Sequence, residues 1–158
     1  MSTPVADHPT TSTLSGHVFV VRGLLESIAC DAVIVPTSSR FRPREAWFST
    51  LGVTDRTPPD GAPDDRVRPF PTGSDHYPAW LLNVAHDGHR SVDWLVDGLR
   101  AAFDRVAAEL LLPSLGDGRV RPLVALPTLG VGRGGYEGVR GEVIRALHST
   151  AMDFVAHS

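Results

Sequence analysis

At 158 residues and 17.0 kDa, the chain is long enough for one domain with its own core and short for two. Hydrophobic residues make up 42% and charged residues 21%, which excludes a disordered, collagenous or coiled-coil chain. A net charge of -3, with the basic residues scattered singly, leaves no electrostatic footprint for a polyanion. Nucleic acid is therefore not an expected partner. No apolar run approaches the roughly 20 residues that span a bilayer, so no membrane is expected either. All 15 basic residues are arginine. Without lysine there is no P-loop lysine, no Schiff base and no lysine general base.

Residues 1–16 are rich in Ser, Thr, Pro and Asp and lack both a basic start and an apolar stretch. They read as a flexible tail without a signal peptide, and a cytoplasmic protein is expected. The alternating run His17 to Arg22 predicts a first strand, and the apolar run Asp31 to Pro36 predicts a second, buried on both faces. Between them, Gly23 to Cys30 has length for one helical turn. Cys30, the single cysteine, lies in apolar surroundings and reads as core. Pro43 to Leu51 predicts a short helix with proline in its first turn and carrying Trp47. The segment Asp55 to Pro78 holds six prolines and two glycines, a composition that predicts a long loop without regular structure.

Ala79 to Ala85 returns to strand. Ser91 is placed as the N-cap of a helix reaching about Leu112, because Val92, Leu95, Val96, Leu99, Phe103, Val106 and Leu110 share one stripe. Pro113, Gly116 and Gly118 end it, and Val120 to Leu126 predicts a further buried strand. A helix from about Glu137 to Thr150 and a last short strand, Met152 to Ala156, complete the chain. Strands alternating with helices argue for an α/β domain over residues 17–158 with a largely parallel sheet.

The segment Pro127 to Tyr136 reads PTLGVGRGGY, with Gly130, Gly132, Gly134 and Gly135 between a strand and a helix. Backbone bare of side chains at such a junction lets amide groups approach a phosphate or pyrophosphate, with Arg133 as the loop's cation. A tight turn that needs glycine only for geometry is the alternative. A Walker A loop is excluded, because no Lys-Ser or Lys-Thr follows. Gly130, Gly132 and Gly135 match G-x-G-x-x-G, but a dinucleotide fold needs an acid ending a strand about 20 residues later. Asp153 would begin the final strand, the wrong end for a ribose contact.

Two stretches, VFVVRGLLESIACDAVIVPTSS (Val18 to Ser39) and LVALPTLGVGRGGYEGVRGEVIRAL (Leu123 to Leu147), resemble the opening and the pyrophosphate loop of the macro domain. Both are also similar to macro-like regions that precede sirtuin-like domains in bacterial defence proteins. The resemblance implies a three-layer α/β/α sandwich with a mixed, largely parallel sheet, which binds ADP-ribose or a related NAD-derived nucleotide. It implies ligand contacts at Leu24, Pro36, Thr37, Ser38, Thr128, Gly130, Val131, Gly132, Arg133, Gly134, Gly135, Tyr136 and Phe154. Amides of Gly132 to Tyr136 would hold the pyrophosphate, Thr37 and Ser38 would lie near the distal ribose, and Phe154, ending the final strand, would meet the adenine.

The chain also departs from the family. Leu24 stands where an acid usually accepts the adenine amine, and Pro36, Thr37, Ser38 and Ser39 replace Asn-Ala-Ala-Asn. Phe41 to Leu51 replaces a glycine-rich stretch that hydrolytic members use to place water. What is implied is a non-catalytic sensing module for signalling in anti-phage defence, with a sirtuin-like effector domain as partner and no cofactor or metal. An ADP-ribosyl hydrolase and a degenerate macro fold serving as an interaction module are the alternatives.

His86, Asp87 and His89 could ligate a metal, but no third ligand stands at a sensible spacing, and a solvated loop is preferred. Asp60, Asp64 and Asp65 lack a calcium-loop pattern and read as loop solubility. Trp47 lies beside the first ligand loop and is a further candidate contact; Trp80 and Trp94 read as packing.

Overall fold

The structure, a computed structural model, describes residues 16–73, 75–85, 91–110, 122–131 and 135–157. Its regular elements are β1 (Ala32–Thr37), α1 (Phe48–Leu51), β2 (Val67–Phe70), β3 (Ala79–Asn83), α2 (Val92–Leu110), β4 (Val124–Ala125) and α3 (Arg140–His157). Short 3₁₀ turns cover Leu25–Ser27, Glu45–Trp47 and Glu137–Val139. The four strands form one mixed sheet in the order β2-β3-β1-β4. β1 pairs parallel with β3 (Ile34 beside Trp80) and with β4 (Val33 beside Ala125), while β2 runs antiparallel to β3. The protein is thus α/β with a mixed sheet, and no described helix is long and apolar enough to cross a membrane.

β1 is uncharged and rich in β-branched residues, and it takes the central position, where both faces of a strand are covered. Its side chains alternate between two separate cores. Ala32 and Ile34 join Trp80, Leu82, Val84 and the inner stripes of α2 and α3; Val33 and Val35 join Leu81, Phe70, Leu25, Phe41 and Leu51 on the opposite face. Cys30 belongs to the second cluster, as its apolar neighbours predict, and burial pushes its thiol above its ordinary pKa. α2 starts where expected: the Trp94 N–H donates to Ser91 Oγ at 3.0 Å, the bond an N-cap serine makes.

Several expectations are corrected. His17 to Arg22 is not a strand: it pairs with nothing in the sheet, and Phe19, Val20 and Val21 are 71%, 84% and 65% exposed. Alternation marks fitness for a pleated surface, but a strand also needs an edge to pair with, and β4, the edge strand beside β1, is two residues long. The proline-rich segment does hold a strand. In β2, Pro69 lies at the sheet edge, where a missing N–H costs no ladder bond. Arg68 ties the rest of that segment down: Nε meets Asp65 Oδ2 at 3.1 Å, Nη1 donates to the Pro59 carbonyl at 3.1 Å, and Nη2 donates to the Ala62 carbonyl. The same guanidinium lies 4.2 Å from the ring centre of Phe41. Asp65 therefore serves an ion pair and not solubility alone.

The predicted last strand, Met152 to Ala156, is the final part of α3. No proline or glycine follows Gly141 to break the helix, and Val143, Leu147, Thr150 and Phe154 continue one stripe. Phe154 accordingly ends no strand and packs on Phe103, ring centres 4.9 Å apart. Of the predicted strand Val120 to Leu126, only Val124–Ala125 is paired, and Val120 and Arg121 lie outside the described residues. So do residues 1–15, the breakers Pro113, Gly116 and Gly118, and the His86, Asp87 and His89 group.

Candidate functional site

β1, β3 and β4 are parallel, so their carboxyl ends emerge on one side of the sheet. From β1 the chain turns to the face that carries α1; from β3 and β4 it passes to the face that carries α2 and α3. Neighbouring strands whose chains depart to opposite faces leave a crevice between them, the usual ligand position in open α/β sheets. Pro36 widens it. Val33 and Thr37 direct their backbone groups toward β3, through Val33 N–H to the Pro78 carbonyl and the Thr37 carbonyl to Val84 N–H, each at 3.0 Å. By alternation, the ring nitrogen of Pro36 faces the β4 side, where pairing has already ended at Ala125.

A pocket of about 220 Å³ occupies this place. It is lined by Pro36 and Thr37 at the end of β1, by Val84 and Ala85 beyond β3, and by Pro127, Thr128 and Gly130 beyond β4. Arg44, Ala46 and Trp47 complete the lining. Among the described residues the lining is mostly apolar, with two threonines, one arginine and no acidic residue, so the fixed charge they supply favours an anion.

Short-range bonds hold the walls. Thr37 Oγ1 donates to the Arg42 carbonyl at 3.1 Å, and the Phe41 N–H closes a turn on the Ser38 carbonyl at 2.9 Å. Phe41 sits in this turn at φ 50°, a left-handed conformation that costs a bulky residue about 1–3 kcal/mol and that its complete burial offsets. Beyond β3, Asn83 Oδ1 accepts the Ala85 N–H at 3.1 Å and fixes that wall. Gly130, at φ 74°, meets the Tyr136 ring so closely that a Cβ built on it would stand 2.7 Å from Cδ2. The Tyr136 N–H donates to the Gly130 carbonyl at 3.4 Å, and its hydroxyl donates to the Ser91 carbonyl at 3.4 Å.

Of the residues expected to bind ligand, Pro36, Thr37, Thr128 and Gly130 come together in the pocket wall. Ser38 lies one residue beyond, and half-buried Val131 packs on the core beneath α2. Tyr136 is 1% exposed, and its amide is already engaged within the protein, so it forms the base of the glycine loop instead of facing a ligand. Leu24 is 65% exposed and lines no part of the pocket. Phe154, on α3, lines no part of it either. Gly135 is described, at φ 90°; Gly132, Arg133 and Gly134 lie outside the described residues.

Trp47 does line the pocket. Arg44, Ala46, Val84, Ala85 and Pro127 were not anticipated. No group of three or more potential metal ligands occurs among the described residues. Comparison of the chain with protein-family models, with curated proteins and with solved structures returns no significant match.

Proposed function

We propose that the protein binds an NAD-derived nucleotide, ADP-ribose or a close relative, in the crevice at the carboxyl ends of β1, β3 and β4, and does so as a sensing module without turning the ligand over. The supporting observation is the pocket itself. It joins Pro36 and Thr37 to Thr128 and Gly130, residues about 90 positions apart in sequence, around a space that is mostly apolar and whose one charged residue, among those described, is Arg44. The macro resemblance rests on the same two stretches. In this reading the sheet, with a core on each face, is the middle layer of a macro-type α/β/α sandwich, and its partner is a sirtuin-like effector.

A pocket of about 220 Å³ accommodates one end of such a ligand, below the roughly 300–1,000 Å³ of sites that enclose a drug-sized molecule. The remainder would run along the glycine segment. At about 100 times Kd a ligand adds roughly 2.7 kcal/mol to stability. For a chain of this length that corresponds to a rise in melting temperature of roughly 5–10 °C. A thermal-shift panel of ADP-ribose, cyclic ADP-ribose isomers, NAD and AMP tests the proposal, and the absence of any shift rejects it. Release of ADP-ribose from a modified substrate would replace the sensing role with a hydrolytic one.

The exposed run Phe19, Val20, Val21 and Leu24 favours a second reading, an interaction module, because monomers seldom leave so many large apolar side chains contiguous and uncovered. Light scattering separates the two: a stable assembly without any ligand effect supports the second.

A further inference from the structure

The 3₁₀ turn Glu45–Trp47 is entered from Arg44, whose carbonyl accepts the Trp47 N–H at 2.8 Å. That bond brings the two residues together at the start of the turn, and both line the pocket. Glu45, between them, does not line it and is paired with Arg56. Arg44 itself makes no ion pair or side-chain hydrogen bond among the described residues and is exposed at the pocket mouth. A single turn thus brings an arginine and a tryptophan to one cavity, while its acid pairs with Arg56.

We infer that Arg44 determines ligand selectivity at this site: its guanidinium takes a phosphate group, while Trp47 offers apolar surface to the rest of the ligand. The site then distinguishes a phosphorylated nucleoside from its unphosphorylated form through this turn and not only through the glycine loop. Guanidinium and phosphate match as a planar fork against two oxygens, a geometry lysine lacks. Trp47 is also suited to report occupancy, since Trp80 is 3% exposed and Trp94 lies under the Arg66 guanidinium, 3.5 Å from its ring centre. The choice of a nucleotide rests on the function proposed above; the charge assignment does not.

The test is a tryptophan-fluorescence titration of the full chain with ADP-ribose, AMP, adenosine and inorganic pyrophosphate. It compares the unaltered protein with Arg44→Ala, Arg44→Lys and Arg100→Ala, the last an exposed charge on α2 away from the pocket. Arg44→Ala is expected to melt like the unaltered protein and to weaken ADP-ribose, AMP and pyrophosphate about tenfold, with adenosine unchanged. Arg44→Lys should recover part of the loss, and Arg100→Ala should change nothing. Unaltered ADP-ribose and pyrophosphate affinities in Arg44→Ala would overturn the inference and leave the nucleotide reading intact. Arg44-dependent binding of pyrophosphate alone would uphold the charge assignment and remove the nucleotide. If no phosphorylated probe binds the unaltered protein, both fall.

Discussion

Gly130 shows how one residue can be set by backbone and neighbour together. Its φ of 74° is costly for a residue with a Cβ, and that Cβ would also press into the buried Tyr136 ring. Gly130→Ala should therefore lose about 2–3 kcal/mol and melt roughly 5–10 °C lower by calorimetry. Gly138→Ala is the contrast: nothing stands within 4 Å of the added methyl, so its melting temperature should hardly move. Cys30 carries a second prediction at this scale. Burial raises its thiol pKa above the ordinary value of 9.0, so from about that pH upward the unfolded chain has lost a proton that the folded chain retains. The associated stability is present below pH 9 and is lost as pH rises through the folded value. Cys30→Ala should flatten that alkaline decline in a denaturation series, and the native thiol should react with a disulfide reagent only as fast as the protein opens.

Among the elements, α2 was the most legible in the sequence, because an unbroken apolar stripe and a capping serine agree on its start and its buried face. Ser91→Ala should cost about 1 kcal/mol, read as a melting temperature about 2–4 °C lower. Gly98 within α2 carries a less obvious expectation. An exposed helical Gly→Ala change gains up to about 1 kcal/mol, but here the new methyl would collide with Arg66 Nη2. That nitrogen donates to the Trp94 carbonyl at 2.9 Å while the guanidinium stacks on the Trp94 ring, so Gly98→Ala should bring no gain in chemical denaturation. β1 and β3 were equally readable from their apolar runs. β2 was not, because Pro69 and the prolines around it outweigh Val67 and Phe70 in any local reading, and only pairing with β3 shows that the proline lies on the free edge. The end of α3 failed for the reverse reason: a short apolar tail can serve strand or helix, and its packing on Phe103 decides.

Across the whole molecule, two of the stretches that line the pocket carried a signal in the sequence: Pro127 to Tyr136 through its glycines between a strand and a helix, and Pro36 to Ser38 through the family resemblance alone. The remaining segment was legible only in part, since Trp47 was a candidate contact and Arg44 was not. Arg44 and Trp47 reach the crevice because β1 departs to one face of the sheet while its neighbours depart to the other, and that is a property of strand order. The same order explains why a cavity lies where three parallel strands end. The account is tested most directly by isothermal titration of ADP-ribose into the unaltered protein and into Thr128→Glu, which sets a carboxylate at an exposed position of the pocket wall. A saturable one-site isotherm for the unaltered protein and none for the variant, with both melting alike, is the predicted result. Absence of heat in the unaltered protein, or the same affinity in both, would contradict it.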